Sequence, residues 1–466
     1  MSAPILWIAV PFFVAVVALM IPNERVNTAL GGVTALLLSG IALIIPIDSA
    51  LLIGPISLKI SSSFQILGRN LALHPADGAL LAIIYGLTAL WFFGSEAAGV
   101  SRRLVPLGLG IIALLVASIA VEPFLFAAIF IEIAVLLSIP LLSPPGQVPG
   151  RGVVRFLIYQ TLAMPFILFA GWMLAGVESS PGDLALTLQA ATMLGMGFAF
   201  LLAVFPLYSW MPLLAEETSP FVIGFLLWCL PTITIIFGLG FLDRYTWLRT
   251  SPTMANSLQL TGVLMVVTGG VWAAFQRHLG RIMAYAAVVE TGYVILALGI
   301  QPSLNSTEVI FLHLIPRGVG LAVWALSLTI IAQKSETLRF NAVQGFARIY
   351  PLATLGVILA NLSAAGFPLL AGFPPRLALW EGLASHSVLT AFWLLVGVLG
   401  VLIGAIRSMA VLVMAPEKTV WAWNETWVQR IMLGVGVIGL FILGVFPQAV
   451  RPLLVNLPLI FTHLGQ

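Results

Sequence analysis

The sequence predicts an all-α integral membrane protein of about 14 transmembrane helices, and three observations predict it. Of 466 residues, 61% are hydrophobic and 8% are charged, where an ordinary globular domain has about 25% charged. Apolar runs of about 20 residues recur along the chain, the length that crosses roughly 30 Å of hydrocarbon at about 1.5 Å per residue. The runs are continuous rather than alternating. That favours helices, which satisfy their own backbone groups, over the strands of a barrel.

The first run, 4–21, is followed by Pro22-Asn23-Glu24-Arg25 and not by a small-residue cleavage pattern, so it reads as a span and not a signal peptide. The next spans fall near 27–46, 77–95, 104–121, 122–142 and 150–176. Runs near 184–215, 218–241, 257–275, 279–300 and 305–332 follow, and the last three lie near 349–383, 388–414 and 430–450. Residues 47–76 are more polar, with Pro55, Lys59, Ser61-Ser62-Ser63 and Arg69, and read as an extra-membrane loop or short hairpin. No Gly/Ser linker or charged tail divides the chain, so 1–466 is expected to be one membrane domain.

Basic residues orient the spans. Odd-numbered connections hold Arg25, Arg102, Arg103, Arg151, Arg277, Arg281, Lys334, Arg339, Arg348, Lys418 and Arg430. Even-numbered connections and the C-terminus hold Lys59, Arg69, Arg244, Arg249 and Arg451. The bias places the odd loops in the cytoplasm and both termini outside, in a membrane expected to be the bacterial inner membrane.

Two runs, 184–215 and 349–383, are too long for simple spans, and each has a proline in its middle: Phe205-Pro206-Leu207 and Phe367-Pro368-Leu369. Proline removes a helix hydrogen bond and clashes with the preceding turn, so Pro206 and Pro368 are expected helix breaks. The broken runs are the fourth members of two five-span units, 104–241 and 257–414. An odd number of spans inverts one unit relative to the other, the pattern of an inverted repeat with an ion path at its breaks. The competing reading is that prolines are common in membrane helices.

Composition also excludes. The lone Cys229 cannot form an internal disulfide, and no Cys/His cluster has metal-ligand spacing, so no haem, zinc, iron–sulfur or other cofactor site is expected. A net charge of +3 does not point to nucleic acid.

Ionisable residues inside apolar runs are the candidate site, because each is costly in hydrocarbon. Glu132 lies about ten residues from either end of its span, roughly 15 Å deep; it is a proton relay or half of a structural ion pair. Arg155 stands one turn inside its span, able to reach toward Glu132 or to snorkel outward. His313 and Arg317 share one helix face at i and i+4 around Pro316, with His313 a titrating or a structural histidine. Glu290 is near mid-span and could partner a cation. Arg376 follows the second break with Glu381 five residues on, which could be its partner. His74 and Asp77 read as a cap, and His278 as a solvated loop residue.

Several motifs resemble those of the antiporter-like membrane subunits, the family of the proton-pumping subunits of respiratory complex I and the large subunits of Mrp-type sodium/proton antiporters. They are Phe205-Pro-Leu-Tyr-Ser-Trp-Met-Pro212 with Ser219-Pro220, Arg281-Ile-Met-Ala-Tyr-Ala286 with Gly292-Tyr293, and Leu362-Ser-Ala-Ala-Gly-Phe-Pro-Leu-Leu-Ala-Gly-Phe373. Glu132 sits where the family has its fifth-span glutamate, and the matches run in order from about 77 to 380. The resemblance implies 14 spans, two inverted five-span units and a mid-membrane line of charges that moves protons or monovalent cations. Its candidates here are Glu132, Arg155, Tyr208, Thr232, Glu290, His313, Arg317, Arg376 and Glu381.

This sequence departs from the pattern at the family's lysines, which fall at Leu201, Thr232 and about Leu321, and Tyr208 replaces the signature histidine. Arg317 falls where the family usually has histidine. The implied function is an antiporter-like subunit of a complex I-like, NADH/quinone oxidoreductase-type assembly that contributes to proton translocation. It would have no redox site of its own and would work with other membrane subunits in the lipid bilayer. The alternatives are a non-pumping structural subunit, or a membrane subunit of a cation/proton antiporter or an inorganic-carbon uptake system.

Overall fold

A computed structural model describes residues 2–53, 56–66, 68–143, 146, 148–179, 183–300, 306–414 and 421–464. Lys418, counted above for orientation, lies outside these residues. The chain is an all-α membrane protein. Among the described residues, eleven helices are long and apolar enough to cross a membrane.

The helices follow the apolar runs closely. α1 (Ile5–Met20), α2 (Glu24–Ile44), α3 (Asp77–Ala98), α4 (Leu104–Ala120), α5 (Phe124–Leu142) and α6 (Arg151–Ser179) come first. The first long run divides into α7 (Leu184–Leu201) and α8 (Trp210–Glu217), and α9 (Pro220–Arg244) follows. After a single turn, α10 (Thr246–Arg249), come α11 (Pro252–Phe275), α12 (Leu279–Leu298) and α13 (Ser306–Ala332). The second long run divides into α14 (Pro351–Ala364) and α15 (Phe373–His386). α16 (Val388–Val413), α17 (Trp427–Val445) and a short α18 (Arg451–Leu454) close the chain.

Both expected breaks exist. Pro206 lies in the interruption between α7 and α8, and Pro368 in that between α14 and α15. The polar stretch 47–76 forms two antiparallel hairpins rather than one. β1 (Ala50–Ile53) pairs with β2 (Ile56–Lys59) from Ala50↔Lys59 to Ile53↔Ile56. β3 (Ser63–Ile66) pairs with β4 (Arg69–Ala72), which β5 (Val121–Glu122) extends.

Burial sorts the helices into a centre and a rim. α3, α9, α12 and α13 are buried on nearly all sides, whereas α6, α7, α16 and α17 leave an apolar face outward. Lipid is as apolar as the core, so close packing and not hydrophobicity must hold such helices together. Glycine provides it between α11 and α16: a Cβ on Gly270 would stand 2.0 Å from the Gly397 carbonyl oxygen. Polar side chains close the helix ends. Gln333 and Gln429 donate to the last carbonyls of α3, at Ala98 (2.8 Å) and Ala97 (3.0 Å), and Glu425 accepts from Leu352 N–H (2.8 Å) and Ala353 N–H (3.3 Å) at the start of α14.

Candidate functional site: a buried charge cluster at the second helix break

The break between α14 and α15 is shaped around Arg376. Arg376 Nη1 donates to the carbonyl oxygens of Ser363 (3.2 Å), in the last turn of α14, and Gly372 (3.0 Å), just before α15. A cation at a helix C-terminus also opposes the helix dipole. The glycines of Leu362–Phe373 make room for it. A Cβ on Gly366, whose φ is +74°, would stand 2.4 Å from Arg376 Cδ, and one on Gly372 would stand 2.5 Å from Arg376 Nη1. Ser363 Oγ accepts from Gly372 N–H at 3.0 Å and ties the loop shut.

Arg376 then reaches Glu290 of α12, Nη2 to Oε1 at 3.6 Å. From the other side Arg317 of α13 approaches Glu290, Nε to Oε2 at 4.0 Å. All three are buried. At these separations each pair contributes on the order of 4 kcal/mol of attraction for an effective dielectric near 20, which offsets part of the cost of removing the ions from water. Arg317 Nε and Arg376 Nε and Nη2 are left without a hydrogen bond among the described residues. With Glu290 ionised, two guanidiniums face one carboxylate, so the trio keeps one excess positive charge.

His313, one turn before Arg317, is buried, and its Nε2 has no hydrogen-bond partner in the protein. His313 and Glu290 line one cavity of about 10 Å³, with Pro316, Ser363 and Gly372 in its wall. A second cavity of about 10 Å³ lies between His313, Tyr293 and Arg376. Each has room for roughly one water. The Arg376 guanidinium also stacks over the Tyr293 ring, 4.8 Å from its centroid.

Arg317 does a second thing. Its Nη2 donates to Thr291 Oγ1 (3.1 Å) and to the Leu227 carbonyl of α9 (3.1 Å). The cluster is thereby anchored to the first half of the bundle.

Of the nine charge-path candidates, the fold brings together Glu290, His313, Arg317 and Arg376. It does not bring in the rest. Glu132 is half-buried on an outward face with exposed Ile129, Ile133 and Leu136, and it accepts from Thr161 Oγ1 at 2.8 Å. Arg155 is exposed and makes no ion pair with Glu132, because it points off the rim of α6. Glu381 is exposed as well, and Arg376 takes Glu290 in its place.

Tyr208 is buried at the first break, edge-on to Tyr285 with ring centroids 6.1 Å apart and beside the Thr268 hydroxyl. Thr232 is buried, but its hydroxyl donates to Trp228 O of its own helix at 2.6 Å. The two breaks therefore differ in kind. Gln160 of α6 caps the first with neutral amide bonds to Phe200 O (3.3 Å) and Leu201 O (3.2 Å), where Arg376 caps the second with a full charge. Leu201 and Leu321 are buried, Leu321 in the wall of the cavity that Glu290 and His313 share, and none of the chain's own lysines lies in a described helix.

Sequence reasoning missed Gln160, Thr161, Thr291, Ser363 and the partner role of Tyr293. Gln160 had a signal, a polar side chain deep in an apolar run; the others are ordinary in membrane helices. His278 is a correction. It is buried, not solvated, and its Nδ1 caps α12 by accepting from Arg281 N–H at 3.4 Å. Burial pushes its ring down to about 4, with Glu216 opposing and Arg281 and Arg339 adding to the fall. Glu216 bridges Arg281 and Arg339 across this end of the bundle. Burial alone would raise its carboxyl, yet the Arg339 hydrogen bond and the Arg281 charge hold it below the usual range. His74 and Asp77 do form a cap, His74 N–H to Asp77 Oδ2 at 2.7 Å.

Comparison with known proteins follows the same lines. A family model described as "NADH:quinone oxidoreductase/Mrp antiporter, TM" matches residues 155–404. The chain is 25% identical over 393 residues to NADH-quinone oxidoreductase subunit N of Desulforudis audaxviator, covering 79% of this chain and 78% of that one. It is 26% identical over 341 residues to NADH-quinone oxidoreductase subunit 14 of Thermus thermophilus, covering 68% and 73%. Its fold is similar to a chain of respiratory complex I from Thermus thermophilus, with TM-score 0.78 at 19% identity over 99% of this chain and 100% of that one. It is also similar to a chain of the Mrp complex from Dietzia sp. DQ12-45-1b, with TM-score 0.80 at 17% identity over 98% and 96%.

Proposed function

Because this chain belongs to the NADH:quinone oxidoreductase/Mrp antiporter membrane family, we propose that it serves a multi-subunit energy-coupling assembly and contributes to proton translocation through its second half alone. The carrying observation is the buried Glu290 carboxylate, held between Arg376 at 3.6 Å and Arg317 at 4.0 Å and sharing a cavity with His313. Arginine keeps its proton, so the two guanidiniums are fixed charges and only Glu290 and His313 exchange protons here.

While both arginines stay close, Glu290 holds its negative charge. A shift of α15 that draws Arg376 away favours protonation of a Glu290 oxygen from the cavity. Its return expels that proton toward His313 Nε2. The driving shift comes from partner subunits of the assembly.

The units 104–241 and 257–414 are read as inverted repeats, each with its fourth span broken at Phe-Pro-Leu. In the first, Leu201, the self-bonded Thr232 and the outlying Glu132 leave no continuous set of titratable groups among the described residues. That repeat is a non-conducting scaffold, and the half-buried Glu132 face suits packing against a neighbouring membrane subunit. The distribution of basic residues supports both termini on the non-cytoplasmic side of a bacterial inner membrane.

The test is Glu290→Gln in the intact assembly reconstituted into vesicles. Coupled proton uptake should fall at least about tenfold while the partner subunits still co-purify, in line with the loss of a proton-transfer group. Unchanged uptake would overturn the assignment.

A further inference from the structure

Away from the charge cluster, a pocket of about 350 Å³ opens at the end of the bundle where α1 joins α2, α3 joins α4 and α5 approaches α6. Its polar wall is Arg102, Arg103 and Asn27, and its apolar wall includes Leu19, Ile21 and Leu107. The lining residues from α1, α2, α4 and α5 lie within about one turn of their helix ends, about 5 Å inside. That is the depth at which lipid headgroups meet acyl chains. Leu19 is 51% exposed, so the pocket opens sideways toward lipid and not only toward water.

The chemistry of the wall is specific. Arg25 nearby is already engaged with Glu96 at 3.4 Å, but neither Arg102 nor Arg103 has an acidic partner among the described residues. Asn27 is 2% exposed; its Nδ2 donates to Ile21 O at 3.0 Å, and its Oδ1 has no donor in the protein. The site therefore offers two cations to an anion, one buried acceptor to a hydroxyl, and an apolar margin to hydrocarbon. Free phosphate uses only the first of these. Basic pockets between membrane helices on the cytoplasmic side are where anionic lipid headgroups dock, and the basic-residue bias puts this end in the cytoplasm.

We propose that this pocket binds an anionic glycerophospholipid with a free headgroup hydroxyl. The phosphate lies between Arg102 and Arg103, the hydroxyl donates to Asn27 Oδ1, and the acyl chains run along Leu19, Ile21 and Leu107. The site is independent of the proton path.

The test is lipid retention, measured by native mass spectrometry on the intact assembly stripped in neutral detergent and offered phosphatidylglycerol, phosphatidic acid or phosphatidylcholine. Wild type should retain phosphatidylglycerol over phosphatidylcholine, and the preference should shrink as salt rises. Arg102→Ala and Arg103→Ala should each weaken retention about fivefold, while the lysine versions keep it. Asn27→Leu should erase the preference for phosphatidylglycerol over phosphatidic acid, which lacks the hydroxyl. Equal retention of all three lipids by wild type would overturn the proposal, as would displacement of bound lipid by soluble glycerol phosphate. If the alanine variants do not assemble, the wild-type comparisons and the lysine variants decide.

Discussion

Arg317 donates to the one α9 carbonyl that Pro231 leaves without a helical partner. Pro231 has no N–H, so the oxygen four residues back, on Leu227, loses its bond within the helix; Arg317 Nη2 occupies it at 3.1 Å. A helix defect in one half of the bundle and a buried charge in the other thus complete each other. This bond fixes where Arg317 can stand when it faces Glu290.

The pair makes a measurable cycle. Arg317→Met strips one cation from Glu290 and leaves the Leu227 carbonyl bare, and should destabilise the protein by about 3–5 kcal/mol, as for other broken buried pairs. Pro231→Ala returns an N–H to that carbonyl. In its background the Arg317→Met loss should shrink by about 1 kcal/mol, the net worth of one hydrogen bond. Thermal unfolding of the four proteins checks it, and strict additivity would contradict the shared role of the two residues.

The α11–α16 contact predicts an asymmetry between glycines. Gly270→Ala drives a Cβ to 2.0 Å from the Gly397 backbone oxygen, and should lower stability by about 1–3 kcal/mol through forced separation of the helices. Gly434→Ala on α17 meets nothing within 4 Å, and should be neutral or slightly stabilising. Melting temperatures of the two variants give the comparison.

His278 gives the fold a pH dependence with a definite sign. Its folded value, about 4, lies below the ordinary 6.5, so the unfolded chain binds more protons between these limits. Its contribution is complete above about pH 6.5 and is lost as pH falls toward 4. His278→Asn keeps a capping side chain at the start of α12 but cannot titrate. A pH series of melting temperatures should fall less steeply for this variant between pH 6.5 and 4 than for wild type.

Much of this architecture was legible in the sequence because the bilayer imposes a length. Apolar runs of one membrane thickness gave the helices, and two over-long runs with central prolines gave the breaks. The site was only partly legible. Glu290, His313, Arg317 and Arg376 stand out as charges in apolar runs, but their union is tertiary: Glu290 and Arg376 are far apart in the chain and meet only because the second break folds over α12. The same blindness explains Arg155 and Glu381, whose helical positions fix a depth but not a face. Glu132 lies at the right depth and on an outward side, a distinction that only packing against α6 decides.

The most direct test sets two carboxylates against each other in the same reconstituted assembly. Turnover-driven proton uptake should collapse when Glu290 becomes Gln and stay close to wild type when Glu132 becomes Gln. The opposite ranking, with uptake abolished by the change at Glu132 and spared by the one at Glu290, would contradict a path through the second half.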